Sequence, residues 1–354
     1  MTDTFAYGVD LGWASQLEHL GYTWIDENGS PADPFRACRD MGANAVRLRI
    51  FVDQKEDFWQ KTETVRCMLG FCDMYRVLEA ARRVKALDMD LMLDFHYSDH
   101  FADPEIQDIP AAWKDDDDMR LTERVRGHTR EVLLLFREND IEPRWVQVGN
   151  EINFGMMWPK GHLKTAPKQL VRFLNAGYDA VKEVFPDCLV ITHMAAVHNE
   201  DWCVPFLDNF FENHGKTDII GFSYYPYWAQ QQIDTESMSA EETVHTLAEC
   251  MKKTALAGWL ARYEKRYDRP VMIVEIGGDD RQEDDTYRLL LSSAEAVREL
   301  PGGRGLGIFY WEPDAVRTVL PDAYPLGAAR QTDDHTLQYT KVLTAYKACQ
   351  SGTK

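Results

Sequence analysis

Two glutamates end apolar, β-type segments, and a pair of carboxyl groups can supply both acid–base and nucleophilic chemistry. Glu151 ends the stretch WVQVGNE, and Glu275 lies near the end of VMIVEI. A charge at the end of a buried strand costs free energy unless it is paired, neutralised or used in chemistry. Two carboxyl groups about 5–5.5 Å apart suit retaining glycoside hydrolysis, whereas a wider pair suits inversion. The residues alone leave both separations open.

Other polar and aromatic residues end the neighbouring β-type segments. Arg47 close to Glu275 would keep that carboxylate ionised, as a nucleophile requires. Glu151 in a more apolar setting would keep its proton for a leaving oxygen. Asn150 is suited to a hydrogen bond with a sugar hydroxyl. We therefore predict that Glu151 and Glu275 are catalytic and that the substrate-binding residues are Arg47, Asp94, His96, Asn150, Tyr224, Tyr225, Trp228 and Trp311.

Each candidate also has a purely structural interpretation. An isolated glutamate at a strand end usually forms a salt bridge, but two of them with an arginine, a histidine and an aromatic rim favour a site. His193 is typical of a core or supporting histidine, and Trp228 and Trp311 could pack instead of stacking on a sugar. His96 and His100 are four residues apart, but there is no HxH or HExxH motif. We therefore predict no metal ion and no cofactor.

Short β-type segments alternate with longer helical ones along the chain. Near-continuous apolar strands indicate a parallel sheet that is buried on both faces. The predicted strands cover 5–10, 44–52, 89–97, 143–151, 188–194, 218–225, 270–276 and 305–311. The predicted helices cover 32–42, 74–88, 121–139, 169–185, 200–214, about 240–267, 286–300 and about 336–349.

Eight such units predict an α/β fold, a closed (β/α)8 TIM barrel, as a single catalytic domain over residues 1–354. The alternative is a doubly wound open sheet, but no G-x-G-x-x-G or Walker loop follows the first strand. In a barrel of this kind the chemistry comes from the C-terminal ends of the strands. This is where the candidate residues lie in the predicted elements.

Composition limits the classes of partner and compartment. The 39 basic and 58 acidic residues give a net charge of −19, which disfavours nucleic acid and anionic membranes as partners. The seven cysteines include no CxxC pair, so a reducing compartment is expected. The N-terminal MTDTFAYGVD lacks the pattern of a secretion signal. We expect a cytoplasmic protein, or a secreted one if a leader has been removed.

The motifs at the strand ends carry a family resemblance. They are YGVDLGWASQLEHLG, DENGSPADPFRACRDMGANAVRLRIF, LMLDFHYSDHFADP, VQVGNEIN, IIGFSYYPYW, VMIVEIGG and GIFYWEP, and they run from residue 7 to residue 313. The chain resembles glycoside hydrolase family 53, the endo-β-1,4-galactanases (arabinogalactan endo-β-1,4-galactosidases), within clan A of the (β/α)8 glycosidases. The combination of VQVGNE, SYYPYW and LDFHYSD is far more specific than an isolated Asn-Glu pair.

The resemblance implies a retaining mechanism with Glu151 as acid/base and Glu275 as nucleophile. It also implies that Arg47, His96, Asn150 and the tyrosines of SYYPYW surround the sugar, with Tyr225 favoured as the one that faces Glu275. The implied substrate is β-1,4-galactan or galacto-oligosaccharide. The stretch IGGDDRQEDDTYRL after Glu275 is shorter than the loop that binds calcium in some members, so calcium is not expected here.

Three other functions stay open at this point. A divergent rim would allow the same mechanism on another β-glycoside, such as a β-glucoside or β-mannoside. A non-catalytic carbohydrate-binding barrel would need neither glutamate. A metal-dependent hydrolase would use His96, His100 and the nearby aspartates.

Overall fold

Eight parallel strands pair in chain order and close into a barrel. The computed structural model describes residues 5–26, 29–54, 59–61, 66–232 and 253–352. The first barrel strand pairs with both the second and the eighth, which closes the sheet. The predicted (β/α)8 barrel is therefore confirmed. The strands are β1 Ala6–Asp10, β2 Ala45–Ile50, β3 Asp90–Phe95, β4 Trp145–Val148, β5 Leu189–Met194, β6 Ile219–Tyr224, β7 Val271–Ile276 and β8 Gly305–Tyr310.

Helices surround the barrel, and several of them begin at residues whose side chains cap the first turn. Asp73 accepts hydrogen bonds from the backbone N–H groups of Tyr75 and Arg76, and Asp117 accepts one from Arg120. Such caps satisfy N–H groups that have no partner within the helix. The helices are α1 Ala14–His19, α2 Pro34–Asp40, α3 Met74–Ala86, α4 Asp118–Glu138, α5 Pro167–Val184, α6 Glu200–Glu212, α7 Pro226–Gln232, α8 Lys253–Tyr267, α9 Glu283–Arg298 and α10 Ala345–Ser351.

The C-terminal region differs from the prediction of one helix over 336–349. Thr336–Tyr339 is a strand, and it pairs with Ala329–Asp333 and with Thr23–Ile25. Leu337 and Tyr339 are both buried, and their spacing of two is the period of a strand. A short 3-10 turn at Lys341–Thr344 then leads into α10. The helix predicted over 240–267 is observed from Lys253, and its earlier part lies outside the described residues.

The interior of the barrel has an apolar layer below and a polar layer above. The apolar layer fills the N-terminal half and includes Trp145, whose ring centroid lies 6.0 Å from that of Phe309. Trp145 is therefore a core residue. Because strand side chains alternate between faces, a residue two positions further on also points inward. The polar layer contains Arg47, Asp94, Gln147, His193 and Ser223.

The described helices and cysteines give two further facts. None of these helices combines the length and the apolar character needed to cross a membrane. The cysteine side chains that are described, at Cys38, Cys72, Cys188, Cys203 and Cys349, are buried and not in disulfide bonds.

Candidate active site

Glu151 and Glu275 lie side by side at the C-terminal mouth of the barrel. One carboxyl oxygen of Glu151 lies within 4.8 Å of one of Glu275. Glu275 is 6% exposed, and Glu151 is half-buried. This spacing fits the separation of about 5–5.5 Å in retaining glycosidases and is too short for the gap of about 6.5–9.5 Å in inverting ones. The sequence left this choice open, and the geometry decides it in favour of retention.

The turn after β4 holds Glu151 in an uncommon backbone conformation. Gly149 has a φ of 84° and Glu151 a φ of 48°. A residue with a Cβ atom rarely adopts this left-handed conformation, and such residues concentrate at functional sites. The turn is held by the backbone N–H of Ile152, which donates to the carbonyl of His193 at 3.1 Å.

Donors contact both carboxyl oxygens of Glu275. Arg47 Nη2 lies 2.9 Å from Oε1, and the Tyr225 hydroxyl donates to Oε2 at 3.0 Å. A register shift between Phe222 and Ser223 places Ser223 opposite Glu275 on the neighbouring strand. The carboxylate is therefore fixed in orientation, and Tyr225 is the tyrosine that faces it. The structure agrees with the choice of Tyr225.

Arg47 is the centre of a buried ion network. Its Nη1 lies 2.7 Å from Asp10 Oδ2, and its Nη2 lies 2.7 Å from Asp94 Oδ2. The same Nη2 donates to Asn150 Oδ1 at 2.8 Å. One guanidinium group thus connects the residue before Glu151 to Glu275, and removing it would leave several buried acids unpaired.

Asp94 and His96 hold Arg47 in position. His96 Nε2 lies 2.9 Å from Asp94 Oδ2, and the backbone N–H of Ala102 donates to His96 Nδ1 at 3.0 Å. Burial lowers the pKa of His96, so the ring is neutral with its proton on Nε2. Asp94 is fully buried, and His96 is 3% exposed. Their predicted role in substrate binding is therefore corrected: they contact protein groups and position Arg47.

Tyr224 points away from the mouth, which also corrects a prediction. It is buried in the layer between barrel and helices, with its ring centroid 6.4 Å from that of Trp259. Ser223 faces the barrel interior, so its neighbour Tyr224 faces outward by strand alternation. Tyr224 is a packing residue.

Aromatic side chains form part of the rim. The half-buried Trp311 ring lies 5.2 Å from Trp13 and 4.8 Å from Tyr324, measured between ring centroids. Trp228, on α7, is half-buried and lies 4.7 Å from Tyr227 at nearly a right angle. Stacking of either indole on a sugar stays a prediction.

The two glutamates have different electrostatic surroundings. Burial raises the pKa of Glu275, and Arg47 opposes this rise. Burial raises the pKa of Glu151 well above its ordinary value, and the charge of Glu275 adds to the rise. The proton of the pair therefore belongs mainly to Glu151. Arg47 acts in the direction expected of it, towards the ionised form of Glu275, but burial has the larger effect on the pKa of this carboxyl group.

Several residues of the site were not predicted as site residues. Ser223 Oγ lies 2.5 Å from Glu151 Oε1, and His193 Nε2 lies 2.8 Å from Ser223 Oγ. His193 is therefore the supporting histidine that one interpretation favoured. A second buried pair, between Arg49 and Glu312, lies beside Asp10. The signal that could have found most of these residues is the spacing of two within each strand. The unpredicted residues are Asp10, Arg49, Gln147, His193, Ser223 and Glu312.

Candidate metal ligands are engaged in other contacts. Within the described part of the chain, Glu151, His193 and Glu275 form the one group of acidic and histidine side chains close enough to hold an ion. Both ring nitrogens of His193 already contact protein groups. His100 lies 3.2 Å from Asp108, apart from the His96–Asp94 pair. The candidate ligands in the described part of the chain are therefore already in contact with protein groups.

The short loop after Glu275 does not fit a calcium ion. Asp279 and Asp280 both contact Arg317, at 3.2 Å and 2.8 Å. Calcium sites need several uncommitted oxygen ligands, and these carboxylates neutralise an arginine instead.

Comparisons with known proteins agree with this geometry. An uncharacterized protein of Niallia circulans is 31% identical over 341 residues, which cover 88% of this chain and 84% of that protein. The arabinogalactan endo-β-1,4-galactanase of Cellvibrio japonicus is 28% identical over 347 residues, which cover 89% of this chain and 81% of that protein.

Solved structures have the same fold. The family 53 catalytic domain of Ignisphaera aggregans superposes with a TM-score of 0.78 at 25% identity and covers 99% of this chain and 97% of that one. A fungal β-1,4-galactanase superposes with a TM-score of 0.79 at 21% identity, and the match covers 97% of this chain and 99% of that one. The model of glycosyl hydrolase family 53 matches residues 6–347. The chain belongs to glycosyl hydrolase family 53.

Proposed function

We propose that this glycoside hydrolase cleaves β-1,4-galactosidic linkages in galactan or galacto-oligosaccharides by double displacement. The observation that carries the proposal is the approach of Glu151 and Glu275 to within 4.8 Å, with Arg47 on Glu275. In the first step Glu275 attacks the anomeric carbon while Glu151 protonates the leaving oxygen. In the second step Glu151 takes a proton from water, and the water displaces Glu275. Two inversions at one carbon give net retention.

We propose that Asn150 contacts the sugar that reacts. Its Oδ1 accepts from Arg47, so its amide nitrogen is the end that can donate. That nitrogen donates one N–H to the Ala102 carbonyl at 2.8 Å. We assign its second N–H to the hydroxyl next to the anomeric carbon, where a hydrogen bond that strengthens in the transition state would accelerate both steps.

Galactose as the sugar is supported by the relatives. The Cellvibrio japonicus protein is an arabinogalactan endo-β-1,4-galactanase, and a Bacillus subtilis endo-β-1,4-galactanase is 26% identical over 334 residues, which cover 88% of this chain and 71% of that protein. The alternative, the same mechanism on another β-glycoside, differs only in the specificity of the rim. Cytoplasmic location stays a prediction, and with it a preference for short, imported galacto-oligosaccharides over the polymer.

Product analysis on a defined substrate tests the proposal. The protein is incubated with β-1,4-galactotetraose and with β-1,4-galactan, and the products are separated by chromatography. Matched β-1,4-glucan and β-1,4-mannan oligosaccharides serve as the comparison, and the Glu275→Gln variant serves as the control for contaminating activity. Cleavage of the galactosides alone is expected. Cleavage of only the gluco- or manno-oligosaccharides would overturn the sugar assignment.

A further inference from the structure

A chain of buried hydrogen bonds leads from the Glu151 carboxyl group back to Arg47. Glu151 Oε1 lies 2.5 Å from Ser223 Oγ, which lies 2.8 Å from His193 Nε2. On the other side of the ring, His193 Nδ1 lies 2.9 Å from Asn150 Oδ1. Arg47 Nη2 donates to this same oxygen at 2.8 Å. The double displacement described above uses Glu151 and Asn150 but leaves Ser223 and His193 without a role.

Arg47 sets the direction of this chain. An arginine only donates hydrogen bonds, so the Asn150 atom that it contacts is the amide oxygen, an acceptor. His193 Nδ1, 2.9 Å from that oxygen, completes a hydrogen bond only when it carries a proton. Burial lowers the pKa of His193 well below its ordinary value, so the ring is neutral and has one N–H. Nε2 is then an acceptor, and the Ser223 hydroxyl donates to it.

The last link depends on the protonation state of Glu151. Ser223 has a single hydrogen, and in this arrangement His193 receives it. The 2.5 Å contact between Ser223 Oγ and Glu151 Oε1 is then a hydrogen bond only if Glu151 donates. Each link from Glu151 to Asn150 then joins one donor to one acceptor, so the hydrogen-bond chain is complete when Glu151 is a neutral acid.

An ionised Glu151 reverses the chain. The Ser223 hydrogen turns to the carboxylate and leaves the Nε2 lone pair of His193 facing Ser223 Oγ at 2.8 Å. A tautomer with the proton on Nε2 would restore that hydrogen bond but would turn the Nδ1 lone pair towards the Asn150 oxygen at 2.9 Å, where Gln147 Nε2 at 3.1 Å and the Glu151 backbone N–H at 3.4 Å are the remaining donors. Two acceptors in contact in a buried site cost free energy.

We propose that Ser223 and His193, oriented through Asn150 by Arg47, retain the acid proton on Glu151 in the free enzyme. The inference rests on the proposed function, because it assigns the acid role to Glu151. Ser223 and His193 are positioning residues, since they act through Glu151. When Glu151 gives its proton to the leaving oxygen, the Ser223 hydroxyl turns to the carboxylate. When Glu151 takes a proton from water, the chain returns to its first arrangement.

The other titratable and charged groups that face Glu151 come from several elements. They are Arg47 on β2, Asp103 in the loop after β3, His193 on β5, Tyr225 after β6, Glu275 on β7 and Tyr324 after β8. Glu275 and Asp103 favour the protonated form of Glu151, and Arg47 opposes it. Replacing Ser223 leaves all of these groups in place, so the replacement isolates the contribution of the hydrogen-bond chain to the protonation of Glu151.

The test is the pH dependence of kcat/KM for galactotetraose in the Ser223→Ala variant. Its alkaline limb reports the loss of the Glu151 proton from the free enzyme. If Ser223 accepts from the acid, its removal lowers the alkaline apparent pKa, by about one pH unit. If Ser223 donated to a carboxylate instead, its removal would raise that pKa. Ser223→Thr, which keeps the hydroxyl, should restore the profile, and Ser293→Ala, in α9, removes a buried hydroxyl far from the site as the matched control.

A comparison of leaving groups separates this role from a merely structural one. The first step on 2,4-dinitrophenyl β-galactobioside needs no acid, because the leaving group is a stable phenolate. Ser223→Ala should therefore lose far more of kcat/KM on galactotetraose than on this aryl glycoside. The inference would be overturned by equal losses of kcat/KM on both substrates. It would also be overturned by a pH profile in which the alkaline limb is unchanged or raised, or in which only the acid limb shifts. A wild-type protein inactive on both substrates would instead refute the proposed function.

Ser223→Cys covers the case in which Ser223→Ala does not fold. The thiol keeps the volume of the side chain but is a weaker acceptor and donor than the hydroxyl. It should lower the alkaline apparent pKa by less than the alanine variant. An unchanged or raised value in a folded cysteine variant would contradict the direction that we assign to the chain.

Discussion

Arg47 and Glu275 form an ion pair at the centre of the barrel mouth, with Nη2 2.9 Å from Oε1. The pair is almost completely buried, and Arg47 is shared with Asp10 and Asp94. The arginine opposes the effect of burial on Glu275 and leaves the proton of the site on Glu151. One cation thus distinguishes the two carboxyl groups, which is the requirement of a double displacement.

Replacing the nucleophile should nearly abolish turnover. Glu275→Gln keeps the shape of the side chain but cannot attack the anomeric carbon. We expect kcat on galactotetraose to fall by roughly four orders of magnitude, measured by product formation over long incubations. Unchanged turnover in a variant that melts like the wild type would remove Glu275 from this role.

The hydroxyl of Tyr225, but not that of Tyr224, should matter for catalysis. Tyr225→Phe removes a hydrogen bond to a carboxylate, an interaction of about 1.5–3 kcal/mol, so kcat/KM should fall about 10- to 150-fold. Tyr224→Phe is the matched control, because Tyr224 packs on the outer face of the sheet. Steady-state kinetics of both variants distinguish the two placements. A larger effect at Tyr224 would mean that the strand faces are assigned the wrong way round.

Removing Arg47 should destabilise the fold as well as the site. Arg47→Met leaves Asp94 and Glu275 buried without their arginine, while Asp10 keeps Arg49, and we expect the change to cost about 3–5 kcal/mol of unfolding free energy. Arg288→Met is the control, since it breaks the exposed ion pair with Asp285 and should change stability little. Urea unfolding at pH 7 measures both. Equal stability of the two variants would show that the buried network contributes no more than a surface pair.

The stability of the wild type relative to Glu151→Gln should depend on pH. The pKa of Glu151 is raised well above its ordinary value of 4.5, so the folded state binds this proton more tightly than the unfolded state does. The resulting stabilisation is complete below about pH 4.5 and is lost as pH rises through the folded-state pKa. Glutamine lacks this dependence. The variant should therefore gain stability relative to the wild type between pH 5 and pH 8, as measured by urea unfolding. If the difference in unfolding free energy between the two proteins stays constant with pH, burial does not hold the proton on Glu151.

The barrel was predictable because its pattern is repeated eight times. Both glutamates were predictable because each follows a strongly apolar run. The roles of Asp94, His96 and Tyr224 were not, since a strand end does not reveal which face a side chain takes. Counting in steps of two from Ile219 in the apolar layer turns Ser223 inward and Tyr224 outward, whereas the extra residue in β7, Val274, interrupts the same count towards Glu275.

The C-terminal strands show a second reason for failure. Thr336–Tyr339 reads as part of a helix because the residues after it are helical. Its strand conformation depends on pairing with Thr23–Ile25, more than 300 residues away in the chain. Local patterns contain no information about such a partner. The contact between Arg47 and Glu275 is likewise a product of barrel closure.

The anomeric configuration of the first product tests the central claim most directly. Proton NMR spectra are recorded during the first minutes of galactotetraose hydrolysis, before the reducing ends equilibrate. Because Glu151 and Glu275 approach within 4.8 Å, the account predicts that the β-anomer forms first and the α-anomer appears only by mutarotation. Initial formation of the α-anomer would mean a single displacement by water and would contradict the assignment of Glu275 as nucleophile.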